Sequence, residues 1–189
     1  HRETVAAWHD GPIENLYHGF LHAVCEQHAC NFQLWHEEDI ARSPDVTDQR
    51  IAEVKRAIDR FNQRRNDRIE HLDELFLAQL DEQGVVTAES APLNTETPGS
   101  AIDRLSILSL RIYHLEEELS RPDATAEHLQ KVQHRLTICG IQQQDLAGAL
   151  GQLLGDIFAG RKRLKVYRQL KMYNDPTLNP YLYKSRKVG

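Results

Sequence analysis

Three groups of polar residues in this 189-residue chain have types and spacing suited to chemistry. The first is His28, Asn31, Trp35, Glu38 or Asp39, and Arg42, which step by three or four and so share one side of a helix. Within it His36, Glu38 and Asp39 sit in a run dense in proton-moving groups and are the catalytic acid–base candidates. The second is Lys55, Asp59, Asn62, Asn66, Glu70 and Asp73, at the same spacing, with Asp67 beside it. Solvent faces are mostly Glu, Lys, Gln and Arg, whereas asparagines beside Asp and Arg favour directed hydrogen bonds. Arg65 takes an apolar rung between Phe61 and Ile69. A buried arginine needs a partner, and Asp59 and Asp103 are the candidates. The third group is a helix start, with Thr97 as N-cap and Pro98 at the first helical position. Its backbone N–H groups at Gly99 and Ser100, with Asp103 and Arg104 on the following turns, suit an anion. For each group the plain alternative is a solvated or ordinarily capped helix.

Metal chemistry is less well provided for. There are ten histidines, and His18, His22 and Cys25 share one face at a spacing that could hold zinc. No second pair completes that set. His114 and Glu117 only imitate the Glu-x-x-His pairs of di-iron bundles. No metal ligands are expected, and no cofactor is indicated. Phosphate-binding loops, dinucleotide fingerprints, nucleophile elbows and zinc-protease motifs are absent from the sequence. Cys25, Cys30 and Cys139 lack CxxC spacing and read as reduced, buried thiols of a cytoplasmic protein.

The elements that must position these groups are helical almost throughout. Period-3.6 patterning predicts a first helix from Gly11 and Pro12 to about Cys30, with Ile13, Leu16, Phe20 and Val24 as its stripe. It continues or restarts over 31–42 and breaks at Ser43 and Pro44. A long helix follows over about 46–82, with core positions Ile51, Val54, Ile58, Phe61, Ile69, Leu72 and Phe76. Residues 83–97 read as a loop, 98–120 as a helix, and 124 to beyond 154 as another. On that last helix Gly148, Gly151 and Gly155 suggest the close approach of a second backbone. Residues 156–172 read as a final amphipathic helix and 173–189 as extended. The expectation is an all-α single-domain bundle spanning 1–189. It has about five helices with long antiparallel members, a basic C-terminal helix and tail over 161–189, and an extended C-terminal strap.

Charge is uneven. The formal net charge is −5, but residues from Gly155 onward carry +7 and the rest −12. The basic tail is expected to fold back onto the acidic body, with Leu164, Tyr167 and Leu170 closing the bundle. No nucleic-acid motif accompanies the charge, no apolar run approaches a membrane span, and no signal peptide is read at the start.

Four segments, 31–42, 55–67, 94–108 and 167–176, together resemble an uncharacterised bacterial family, the domain of unknown function 4254. The resemblance implies a bacterial protein in the setting of cell-surface polysaccharide synthesis, with no established activity. The expected function is binding, with or without turnover, of a small anionic or sugar-phosphate ligand. Arg65, Arg104 and the helix start at 97–100 would hold the anion, and Asp59, Asn62, Asn66 and Asp67 would fix hydroxyls. The alternative is a non-catalytic adaptor docking on an envelope enzyme or an anionic surface. Homo-oligomerisation is left open.

Overall fold

The computed structural model describes residues 1–170, 172 and 175–184. Its helices are α1 (Arg2–Asp10), α2 (Gly19–Arg42), α3 (Asp48–Glu82), α4 (Pro98–Leu119), α5 (Ala126–Phe158) and α6 (Pro180–Lys184). Among the described residues there is one isolated bridge, Leu93 with Arg163, and no sheet. The chain is a single all-α bundle. Short turns at 43–47 and 120–125 make α2–α3 and α4–α5 antiparallel hairpins. Each turn ends in a threonine cap: Thr47 accepts from the Arg50 N–H and Thr125 from the His128 N–H. In the middle, α4 packs on α1, α2 and α3 as well as on α5.

The core is three apolar clusters. Val5, Trp8, Cys25, Phe32 and Leu110 join α1, α2 and α4. Ala23, Leu72, Phe76 and Ile102 join α2, α3 and α4, with Leu150, Leu154, Phe158 and Leu164 against them. Leu34, Val54 and Ile58 close the α2–α3 hairpin. Between the second and third clusters α2, α3 and α4 present polar residues instead: Gln27, His28 and Asn31 on α2, Arg65 on α3, and Asp103 and Ser106 on α4. That polar layer is the frame of the candidate site.

Several boundaries differ from the sequence reading. Residues 11–18 are not helical. Ile13 and Leu16 are exposed, and the Asn15 side chain ties the segment into a turn by accepting from the Tyr17 N–H and donating to the His22 carbonyl. The unforeseen α1 precedes that turn. Ile51 is exposed in the first turn of α3. Gly148, Gly151 and Gly155 face open space, with nothing within 4 Å of an added Cβ, so no second backbone approaches them. The amphipathic helix expected over 156–172 ends at Phe158. Gly160 adopts φ +70 and would drive a Cβ to 2.5 Å from the Val86 carbonyl oxygen, so the chain turns there.

Residues 161–170 then run extended, and Lys162, Leu164 and Val166 turn inward at period two. The Arg163 N–H donates to the Pro92 carbonyl, and its Nε donates to that of Ala91. Arg161 pairs with Asp156, and Arg168 with Glu70 and Glu74. The basic tail therefore lies on the acidic body, but of its three expected closing side chains only Leu164 packs in; Tyr167 and Leu170 are exposed. Of the tail expected to be extended over 173–189, residues 180–184 form the short α6, while 173, 174 and 185–189 lie outside the described residues. No helix among the described residues is long and apolar enough to cross a membrane.

Candidate functional site

Asp103 organises the polar layer. Its Oδ1 accepts from Gln27 Nε2 at 2.6 Å, Asn31 Nδ2 at 2.9 Å and Arg65 Nε at 2.7 Å. Its Oδ2 accepts from Arg65 Nη2, completing a two-pronged ion pair. Asn31 Nδ2 also donates to Ser106 Oγ at 2.9 Å, and His28 Nδ1 shares a 2.7 Å hydrogen bond with the same hydroxyl. The partner required by the arginine on a core rung is thus Asp103. Asp59 instead pairs with Lys55 on the surface at 2.8 Å. The ion pair holds the Arg65 guanidinium more firmly protonated than usual. Burial holds His28 neutral, its pKa pushed down to about 3.

Above this layer opens a cleft of about 420 Å³ between α2, α3 and α4. Asn31, Trp35, Glu38, Asp39 and Arg42 line it from α2, Asn62 and Arg65 from α3, and Ile107 and Leu110 from α4. One helix face therefore delivers the first polar stripe from Asn31 onward, with His28 left in the layer below, and another delivers Asn62 from the second. At the rim Arg42 pairs with Glu38 at 2.9 Å. Ile107 also walls a second cleft of about 580 Å³, towards α5, which carries Arg104, Arg111 and Asp145. The arrangement joins an indole face, two carboxylates, two asparagines and an arginine whose charge is already balanced. Such a surface suits hydroxyl groups with an apolar ring face, and cations stand at its edges.

The other expected site residues scatter. Asp67 is bonded to Gln63 on the α2–α3 flank. Asn66 lies lower, in a recess with Glu70, Asp73, Thr97 and Ser100 that the strap residues Tyr167–Gln169 cover. The start of α4 is not a site for an outside anion, because the chain supplies its own. Thr97 caps by accepting from the Ser100 N–H, and the Gly99 N–H donates to buried Asp73 Oδ1 at 2.7 Å. Burial raises the Asp73 pKa, and hydrogen bonds from Thr97 and Gly99 oppose that rise. Arg104 turns to Glu96 at 2.8 Å rather than to the helix start. His36 faces away from the cleft and meets His9 and His114.

Gly99 shows how tightly α4 seats on α3: an added Cβ would stand 2.5 Å from the Ile69 carbonyl oxygen and 2.9 Å from Asp73 Oδ1. Gly99→Ala is therefore expected to cost about 1–3 kcal/mol by forcing the helices apart. A urea midpoint equal to that of the unsubstituted protein would contradict this packing.

Sequence reasoning missed Gln27 and Ser106, which sit at apolar rungs and gave no signal. It also missed His9 and His114 as partners of His36. Spacing could not reveal a cluster assembled from three separate helices.

A family model described as "Protein of unknown function (DUF4254)" matches residues 21–166. The chain belongs to this family. The match spans α2 to α5 and the first part of the strap, so it contains the whole Asp103 network and the cleft. It leaves α1, and with it His9, outside. No curated protein and no solved structure matches the chain.

Proposed function

We propose that this family member binds a small sugar or sugar phosphate in the α2–α3–α4 cleft, in the setting of cell-envelope polysaccharide metabolism that its sequence resemblance implies. The observation that supports this most is the composition of the cleft wall, where Trp35 stands among Asn31, Asp39, Asn62 and Arg65. The indole offers a face for a sugar ring, and the amide, carboxylate and guanidinium groups offer fixed donors and acceptors for its hydroxyls. A phosphate would lie towards Arg42 or, past Ile107, towards Arg104 and Arg111. Glu38 and Asp39 are the acid–base candidates that remain in the cleft; His36 is not there to serve.

The test is a titration of free sugars, sugar phosphates and nucleoside-diphosphate sugars, followed by thermal shift and by Trp35 fluorescence. A ligand at 100 times its dissociation constant should stabilise the fold by about 2.7 kcal/mol. Trp35→Leu and Asn62→Ala should each abolish most of that gain while remaining folded. No shift across the panel, or a shift untouched by both substitutions, would count against this reading.

The adaptor reading retains one supporting observation. Tyr167, Leu170, Met172 and Tyr181 expose apolar surface along the C-terminal segment. Its basic residues argue the other way, since Arg161 and Arg168 are already engaged by the body.

A further inference from the structure

His9 of α1, His36 of α2 and His114 of α4 converge beside the cleft, behind Trp35, whose indole stacks on the His114 ring at 5.0 Å. Their ring centroids are 5.1, 5.1 and 5.8 Å apart. One ring nitrogen from each lies within 4.8 Å of the other two, and this is the only such group of three among the described residues.

We propose that these three histidines form a site for a first-row divalent cation, Zn2+ above all, bound through their Nε2 atoms. The opposite nitrogens decide the orientation. His9 Nδ1 lies 2.8 Å from the Val5 carbonyl oxygen, His36 Nδ1 lies 2.8 Å from that of Phe32, and His114 Nδ1 lies 2.6 Å from Glu117 Oε2. A carbonyl or carboxylate accepts only from N–H, so each Nδ1 carries the proton and each Nε2 presents its lone pair. A metal-binding histidine is commonly held in this way, with a backbone carbonyl or carboxylate fixing the ring and raising its basicity. The Nε2 atoms of His9 and His114 are buried and have no hydrogen-bond partner. Buried polar atoms rarely remain so, and a shared cation would satisfy them together.

Imidazole nitrogens suit zinc, copper, nickel and iron. Zinc–nitrogen bonds of about 2.0–2.1 Å place tetrahedral ligands roughly 3.4 Å apart, so closing on the ion needs ring rotations of about an ångström. Phe32, Tyr113 and Trp35 pack against the rings and limit larger excursions. Three protein ligands leave a fourth position for water or a ligand group.

The test uses the full, untagged chain. Zn2+ titrated calorimetrically should bind one ion per chain. Co2+ should give the visible bands of a nitrogen- and oxygen-ligated, four- or five-coordinate ion without thiolate charge transfer. Glu117→Gln should weaken binding by roughly 10–100-fold, and His9→Gln, His36→Gln and His114→Gln should each weaken it more. His71→Gln and His134→Gln should leave it unchanged. Should a ligand variant unfold, the Co2+-shifted imidazole resonances of the unsubstituted protein decide instead, and they should come from His9, His36 and His114. The proposal is overturned by the absence of saturable binding, by a thiolate band, by shifted resonances from other histidines, or by binding that survives replacement of all three. None of these readouts involves the sugar titration, so the two proposals stand or fall separately.

Discussion

Asp103→Ala should destabilise the protein by about 3–5 kcal/mol, because it removes the carboxylate paired with a half-buried guanidinium and strands two amides. Four hydrogen bonds converge on that carboxylate, from Gln27, Asn31 and twice from Arg65. Its side chain is 6% exposed, against 28% for Arg65. Water can therefore compensate the arginine only in part, which sets the expectation towards the lower end of the range. Arg65→Met should cost a comparable amount by leaving the buried carboxylate with amide donors alone. The double variant should cost less than the sum of the two, with a coupling of about 2–3 kcal/mol in a double-mutant cycle from urea unfolding. Additive effects, or a single loss below about 1 kcal/mol, would show that the pair is solvated and that the polar layer does not hold the helices in register. The layer also matters for the cleft. Arg65 engages Asp103 through Nε and Nη2, and its remaining N–H groups are available to the cleft it lines.

That Arg65 would need an acid was legible in the sequence for a simple reason, although the sequence left Asp59 and Asp103 as equal candidates. Arg65 interrupts an otherwise regular apolar ladder, and an arginine on a core rung demands an acid. Helices α3, α4 and α5 were legible because each carries many turns of consistent periodicity with a threonine cap or a proline at its start. Helix α1 was not, because nine residues with only Val5 and Trp8 as large apolar side chains give too few turns for a pattern.

The strap shows a different failure. Leu164, Tyr167 and Leu170 fall three apart and imitate a helix, but Leu164 and Val166 also fit period two. The contact of Gly160 with Val86 and the backbone bond from Arg163 to Pro92 favour the extended form. At the start of α4 the sequence reading expected an outside anion, whereas the Gly99 N–H is taken by a carboxylate of the chain itself. Nothing in the sequence said that Asp73, on the preceding helix, would be the charge that arrives. The three histidines were illegible outright, since their meeting depends on how α1, α2 and α4 pack and not on any spacing within one helix.

Acid should unfold this protein earlier than its carboxylates alone would require, and His28 should be the main reason. In the unfolded chain its pKa returns to about 6.5, whereas in the fold burial pushes it down to about 3. It lies fully buried, with Trp8 stacked at 5.2 Å and His1 at 4.7 Å from α1 and its neighbourhood, and with Ser106 across from it on α4. None of these is an acid that could receive a proton's charge. Between the two pKa values the unfolded chain holds a proton that the folded chain does not, so stability rises with pH in that window. The neutral state is fully supported above about pH 6.5. Below it the contribution falls by about 1.4 kcal/mol per pH unit, reaching nearly 3 kcal/mol lost at about pH 4.5. The depressed pKa of His114 acts with the same sign. Urea unfolding between about pH 7 and pH 4.5 measures the slope directly, and His28→Leu should remove about one proton from it, whatever that variant costs at neutral pH. An unchanged slope in His28→Leu, or a His28 ring proton that titrates near pH 6 by NMR in the folded protein, would show that water reaches this ring. The polar layer would then be open at its α1 side.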